Sequence, residues 1–578
     1  MKFRKLLRDH FFLIAIVVIA AYIRFIGVSS VPPSLSWDEV SIGYNAYSIL
    51  KTGKDEHGRF LPIDTFVGYG DYKPPLAVYL TVPFIAVFGL TELAVRLPSV
   101  IAGTLAVLLT YLLVLELFRQ EAPSIKHQIP SKHQAPKFWN LEFENWNLQA
   151  IALLSAFLLA VSPWHIQLSR AGWEANIALT ILLFGIWLVL LSRERPRVLM
   201  VCWMPFVLAM YTFNSARYVA PFLALLFFFW IRDKIWAYKR YALVGIFLGL
   251  ILLAPLMPHL VSPEARLRFT EVNIFSDLSI IEKSNDRMAV DGNTFFARIF
   301  HNRRVGFGIE YLKHLFDHLQ PWFLFIRGDG NPKFSLQDVG QLYLIEAPFL
   351  VYGIYRLFAV DTKLAWTLIL WIVLAILPAG VARETPHALR IENTLPVWHI
   401  FTAYGLIALV KSQKSPPEAD QPLAEKVKSN LVFIVYCLLF IASFSYFWHN
   451  YFNHYAQEYS AEWQYGYKQA IAQMQQFEDS YDGVVLSEAY GRSYMYTLFF
   501  TRTDPSAYLA SKKSTFDAAG FYHVFGFGKY RFTDKGIGSF DRGILYVALS
   551  SEAPGGERIL STIKRLNGET AFVLFDKP

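Results

Sequence analysis

Long apolar runs recur along most of this chain, and they decide what it can fold into. A helix that crosses a bilayer needs roughly 17–25 mainly apolar residues. About eleven stretches of the 578-residue sequence approach that length: 11–29, 93–118, 148–163, 177–192, 198–212, 218–231, 241–257, 341–358, 363–380, 396–410 and 430–447. Several are short or contain proline, so the expected count is about 10–13. Charged residues make up only 17% of the chain, against about a quarter in soluble domains. The aromatic share of 16% also suits a membrane protein, since Trp and Tyr collect at bilayer interfaces.

The cations set the expected orientation. With the N-terminus inside, the inner segments carry Arg119, Lys126, Lys132 and Lys137, then Arg193, Arg195 and Arg197, then Arg232, Lys234, Lys239 and Arg240, then Lys411, Lys414, Lys426 and Lys428. The outer segments 212–217 and 381–395 carry fewer, as the positive-inside rule requires. Segment 359–362 is uninformative. The net charge of +8 is explained by these short clusters, which removes nucleic acid as an expected partner. The first apolar run follows Lys2, Arg4, Lys5 and Arg8, and no small-residue cleavage site comes after it; it reads as an uncleaved span. Cys202 and Cys437 lie in apolar runs and imply neither a disulfide framework nor a thiolate metal site. The expectation is a multi-pass protein of the cell membrane with a cytoplasmic N-terminus.

Three outer segments are then long: 30–92, 258–340 and 448–578. The last alternates a helix-like stretch, Gln457 to Phe477, with strand-like runs at Gly483–Ser487, Ile544–Leu549 and Ala571–Phe575. The expected organisation is an all-α membrane domain over 1–447 and a small extracytoplasmic α/β domain over 448–578. Segment 258–340, which mixes Arg266, Arg268, Arg303 and Arg304 with apolar runs, is expected to fold over the functional site.

The first outer segment is the most informative. Ser36 and Glu39 have capping-box spacing. Behind them Ile42, Ala46, Ile49 and Leu50 form a helical stripe that Gly53 can end. This predicts a short amphipathic helix on the outer membrane surface. Asp38 and Glu39 suit the helix dipole as first-turn acids. They also sit just after a span, where a carboxylate costs free energy and can serve as a general base. Further on comes Gly68-Tyr69-Gly70-Asp71-Tyr72-Lys73-Pro74-Pro75-Leu76. The glycines permit a sharp turn and the prolines stiffen the chain. Lys73 is thus presented either to one anion, such as a phosphate, or as a snorkelling anchor. Leu76 to Phe88 is expected to form a second interfacial helix; it reads equally as a span, which would reverse every later loop, but the inner cation pattern argues against that.

At this point the chain resembles the GT-C superfamily of membrane glycosyltransferases. More narrowly it resembles the branch containing lipid A aminoarabinose transferases and protein O-mannosyltransferases. The resemblance rests on Arg24, Trp37-Asp38-Glu39, Gly70-Asp71-Tyr72-Lys73-Pro74-Pro75-Leu76, Arg96-Leu97-Pro98-Ser99, Ser162-Pro163-Trp164-His165 with Arg170, Asn214-Ser215-Ala216-Arg217, Asn331-Pro332-Lys333 before Leu342-Tyr343, and His387-Ala388-Leu389-Arg390. It implies an aspartate at Asp38 acting near the acceptor, a lysine at Lys73 near the donor phosphate, and a polyprenyl-phosphate sugar as donor. The chain lacks the β-trefoil insert of eukaryotic O-mannosyltransferases. It also has Ser41 and Ile42 where aminoarabinose enzymes place an arginine soon after the Asp-Glu pair. Donor sugar and acceptor therefore do not carry over.

The alternation brings Asp38, Lys73, Arg96, His165, Arg170, Glu174, Asn214, Arg217, His387 and Arg390 to one outer face, as one active site would need. The expected reaction is inverting sugar transfer to a lipid, glycan or protein hydroxyl. Asp38 is the expected base, with Glu39 beside it. Lys73, Arg96, Arg170, Arg217 and Arg390 are the expected phosphate ligands, and Tyr72, His165, Glu174, Asn214 and His387 are candidate substrate contacts. Arg96 and Arg217 read equally as interfacial anchors, and a lone histidine such as His165 is more often packed than catalytic. A divalent cation, Mg or Mn, held by Asp38 and Glu39 together with the phosphate is a further option. The chain has no P-loop and no dinucleotide fingerprint. A transporter or lipid flippase is the competing class, but it would place charges at mid-span or show paired repeats, and neither is seen.

Overall fold

The computed structural model describes residues 10–119, 138–263, 273–412 and 423–578, apart from 518, 519, 535 and 539; the side chains of 138–147, 411–412 and 423–433 are outside that description. Much of the basic sequence that set the orientation, including Lys126, Lys132, Lys137 and Lys414, lies outside the described residues.

Helix occupies each of the eleven apolar ranges. The first half contains α1 (Phe11–Phe25), α2 (Trp37–Thr52), the hairpin β1 (Phe66–Gly68) and β2 (Asp71–Lys73), α3 (Leu76–Phe88), α4 (Glu92–Leu117), α5 (Phe138–Val161), α6 (Pro163–Arg170) and α7 (Glu174–Leu191). After it come α8 (Ala216–Trp230), α9 (Lys239–Leu253), α10 (Ala347–Val360), α11 (Thr362–Ile376), α12 (Val397–Ser412) and α13 (Leu423–Asn453). Among the described residues, five helices are long and apolar enough to cross a membrane, and a sixth is added if α5 and α6, bent by 56°, count as one span. The protein is thus a multi-pass membrane protein, mostly helical. Fewer helices qualify by length than the eleven runs suggest, because proline and 3₁₀ geometry interrupt several of them. The range 198–212 is split between Pro196–Met200 and Met204–Met210, and α8 contains Pro221. Within the bundle, α10 and α12 cross back to back: Gly353 faces the Phe401 carbonyl and Gly405 the Phe349 carbonyl, with no room for a Cβ.

The local signals of the first outer segment are realised in detail. Ser36 Oγ accepts the Glu39 N–H, and Glu39 Oε2 accepts the Ser36 N–H at 2.9 Å, closing the capping box at the start of α2. Gly53, at φ +69°, ends the helix. The surroundings of α2 are different from those expected. Its apolar stripe is not a free face: residues 39–46 are all buried, between α4 on one side and the C-terminal part on the other.

That C-terminal part contains α14 (Tyr467–Phe477), α15 (Ser493–Phe500) and a seven-stranded mixed sheet. Its strands are β3 (Gly483–Ser487), β4 (Lys513–Phe516), β5 (Tyr522–Phe527), β6 (Tyr530–Thr533), β7 (Ile544–Ala548), β8 (Arg558–Lys564) and β9 (Thr570–Asp576). The order is β4-β5-β6-β3-β7-β9-β8, with central β3 parallel to both β6 and β7 and the outer pairs antiparallel. Its core is continuous with the first outer segment: Val40, Tyr44, Ala46 and Val78 share one apolar cluster with Tyr467, Met474, Tyr496, Phe499 and Leu574.

Candidate functional site

The β1–β2 hairpin turns through Tyr69 and Gly70, both at positive φ (+62° and +93°), the geometry of a tight two-residue hairpin turn. Phe66 pairs with Lys73, so the lysine ends β2 just before Pro74 and Pro75. The capping box fixes Asp38 in the first turn of α2. The two side chains meet: Lys73 Nζ lies 2.5 Å from Asp38 Oδ1 and 3.8 Å from Glu174 Oε1, at the start of α7. Burial alone would favour neutral lysine, but Asp38, Glu174 and Asp71 outweigh it and hold the Lys73 ammonium above its ordinary range.

This pair forms one wall of a cavity of about 380 Å³. The opposite side is built from the loop before α8, from His259, and from residues 378–390. Asp38, Tyr72, Lys73, Glu174, Asn214, Arg217, His387 and Arg390 all line it. The cavity is therefore electrically divided, with three carboxylates (Asp38, Asp71, Glu174) around Lys73 and two guanidinium groups, Arg217 and Arg390, on other walls. Arg217 Nη1 bonds His259 Nε2 at 3.1 Å, while its Nη2 is buried without a hydrogen-bond partner among the described residues. A buried guanidinium nitrogen with nothing to donate to is suited to an incoming oxyanion. Tyr72 stacks on His259 at 5.9 Å, and His387 packs on Phe334 at 4.8 Å with Asp329 Oδ2 3.9 Å away. Burial pushes the Asp329 carboxyl up to about 6.

Glu39, Arg96, Arg170 and His165 stand outside this cavity, fully or almost fully buried. Arg96 Nε donates to Glu39 Oε1 at 2.8 Å, and its other nitrogens go to the carbonyls of Val28, Pro32 and Ser34. Arg170 donates to the carbonyls of Ile23, Arg24 and Val31. His165 Nδ1 sits 2.7 Å from an Arg24 guanidinium nitrogen. These groups tie the ends of the helices together, and the donors named here go to protein groups. Glu39 also accepts the Gly172 N–H at 2.9 Å, so both its oxygens are engaged, and among the described residues no group of three or more His, Cys, Asp or Glu side chains could hold a metal.

Several cavity residues were not singled out from sequence: Asp71, His259, Asn273 and Phe334. Asp71 is within the Gly-Asp-Tyr-Lys-Pro-Pro segment, so its signal was present. His259 follows a span with no motif around it. Lys333, beside the cavity-lining Phe334, lies 4.3 Å over the Trp37 ring, and burial lowers its pKa; it stands in the Asn-Pro-Lys motif.

No protein-family model matches the sequence, and no curated protein resembles it significantly in sequence. Solved structures do resemble it in fold. ArnT from Cupriavidus metallidurans bound to undecaprenyl phosphate is 12% identical, each chain being covered over 98% of its length, with a TM-score of 0.53. The same protein in the apo state gives 12%, 98% and 0.51. The archaeal oligosaccharyltransferase AglB from Archaeoglobus fulgidus, in complex with an inhibitory peptide and a dolichol-phosphate, is 12% identical over 86% of this chain and 64% of its own, with a TM-score of 0.48. Matched over 98% of both lengths, this chain shares its fold with ArnT.

Proposed function

We propose that the protein transfers a sugar from a polyprenyl-phosphate carrier to an acceptor hydroxyl at the extracytoplasmic face of the cell membrane. In this reading the chain crosses about eleven times with its N-terminus inside. The observation that carries the proposal is one cavity holding the Asp38–Lys73 pair together with Arg217 and Arg390. The fold shared with ArnT bound to undecaprenyl phosphate supports the donor class.

The donor phosphate enters between Lys73, Arg217 and Arg390. Lys73 exchanges its carboxylate contact for the phosphate, and the freed Asp38 oxygen accepts the proton of the acceptor hydroxyl. The acceptor oxygen forms a bond to the anomeric carbon as the carbon–oxygen bond to phosphate breaks, so the configuration inverts. The polyprenyl phosphate leaves with the electron pair, and the cations stabilise the charge that grows on it. Holding donor and base in one cavity makes the step effectively unimolecular.

The test is incubation of the purified protein with radiolabelled polyprenyl-phosphate sugars and envelope fractions, followed by identification of the labelled product. Asp38→Asn should lower turnover by about 10²–10⁴-fold, the contribution of one general base, and leave undecaprenyl-phosphate binding nearly intact. Full activity in that variant would refute the role of Asp38.

A further inference from the structure

We propose that the C-terminal part is a fixed support behind the active site, with Arg492 as the positioning residue that holds the Lys73 hairpin against the start of α2. The proposal rests on the assignment of Asp38 and Lys73 made above, and it explains a conformation that the hairpin itself does not favour. Tyr69 stands at φ +62°, where a side chain other than Gly, Asn or Asp is disfavoured, so its surroundings must hold it there. They do so from two directions. Tyr69 Oη donates to the Trp37 carbonyl at 2.8 Å, which ties the hairpin to the residue before Asp38. From the C-terminal part, the Arg492 guanidinium lies over the same ring at 4.6 Å, and Tyr494 meets it edge-on at 5.9 Å.

The contact continues along the turn. A Cβ on Gly70 would come within 2.6 Å of the Gly520 carbonyl oxygen and 2.7 Å of the Phe521 Cα. Gly491 lies against the Trp37 ring, and Tyr496 Oη donates to the Leu35 carbonyl at 2.9 Å. The chain around 491–496 therefore touches both arms of the site, the arm bearing Asp38 and the arm bearing Lys73. Their 2.5 Å approach depends on two segments that no short connection holds together. The same support fixes both, so a shift in it changes their separation directly.

The test uses the full-length protein in detergent and measures amide hydrogen exchange over residues 66–74. Loss of one partly desolvated cation–π contact in Arg492→Ala should raise exchange there about tenfold, with β7, β9 and the spans unchanged. Arg492→Lys keeps a cation over the ring and should restore most of the protection. Arg492→Gln, which removes the cation but keeps most of the side-chain length, should loosen the hairpin to a similar extent and stands in if Arg492→Ala does not fold. In the transfer assay Arg492→Ala should lower kcat about tenfold and change KM by less than about twofold, because substrate groups are misplaced, not removed. Unchanged exchange over 66–74 in folded Arg492→Ala, or in Arg492→Gln where that variant stands in, overturns the proposal. Undecaprenyl phosphate serves as the separate probe: if the wild-type protein does not bind it, the donor assignment fails, while the exchange result still decides whether Arg492 positions the hairpin.

Discussion

Replacing Glu39 by glutamine separates a structural carboxylate from a catalytic one. Glu39 is fully buried and accepts four hydrogen bonds, from Ser36 N, Gly172 N and two nitrogens of Arg96. The amide keeps one acceptor oxygen and turns an NH₂ group toward donors on the other side. Whichever way it is oriented, at least one N–H or guanidinium nitrogen is left facing a donor. Removing one partner of a buried ion pair costs about 3–5 kcal/mol. Counting the two charge-assisted bonds most directly lost, at about 1.5 kcal/mol each, gives about 3 kcal/mol, so the lower end of the range applies. The assay is unfolding of the purified protein in detergent, alongside undecaprenyl-phosphate binding and turnover per folded molecule. Glu39→Gln should unfold well below the wild type, while the folded fraction transfers within about tenfold of normal, far less than the loss on removing a general base. A double variant with Arg96→Met should recover part of the loss, because the uncompensated charge is gone. An unchanged unfolding midpoint together with a hundredfold or larger loss of turnover would refute this reasoning and return Glu39 to the chemistry.

Lys73→Ala should weaken undecaprenyl-phosphate binding by about tenfold or more, read by titration, since a desolvated charge contact to phosphate is lost. Chelators should leave transfer unchanged, because Lys73 supplies the positive charge at Asp38 and Glu39 is engaged elsewhere; loss of activity restored by Mg or Mn would contradict this. Burial holds the Glu56 carboxyl up to about 8, above its unfolded value of 4.5, so the folded state binds the proton more tightly and stability falls as pH rises from about 5 to 8. Glu56→Gln should remove that loss, on the order of 3 kcal/mol, in unfolding midpoints measured across the same interval. Gly43→Leu should separate α2 from its neighbours, because a Cβ there meets Phe499 at 2.6 Å and Val95 at 2.7 Å; a drop in unfolding midpoint with increased proteolysis of the C-terminal part is the expected readout.

What the sequence revealed was what is decided locally. The capping box, the Gly53 stop and the paired prolines act over a few residues, so α2, the hairpin and the presentation of Lys73 were legible without a partner. The roles of Arg96, Arg170 and His165 were not, because their partners are remote: Glu39 is 57 positions from Arg96, Val31 is 139 from Arg170, and Arg24 is 141 from His165. A charge near a span end looks the same in sequence whether it faces a cavity or ties loop carbonyls together. The cover over α2 was not legible for a related reason. Its apolar stripe was read as a face for lipid, but the C-terminal part, more than 400 residues later, covers it. Where proline and 3₁₀ turns break an apolar run, as over 198–212, apolar length alone does not set the number of crossings.

The core shared between α2 and α15 has a consequence for biogenesis. The first outer segment emerges early and presents Val40, Ile42, Tyr44 and Ala46, yet Phe499, which packs on α2, lies some 450 residues downstream. At about 5–20 residues per second, translation leaves roughly 20–90 seconds in which that apolar surface has no cover. Any nascent chain stalled before α15 carries that apolar surface uncovered. Such chains are natural clients for the chaperones and proteases that act at the membrane.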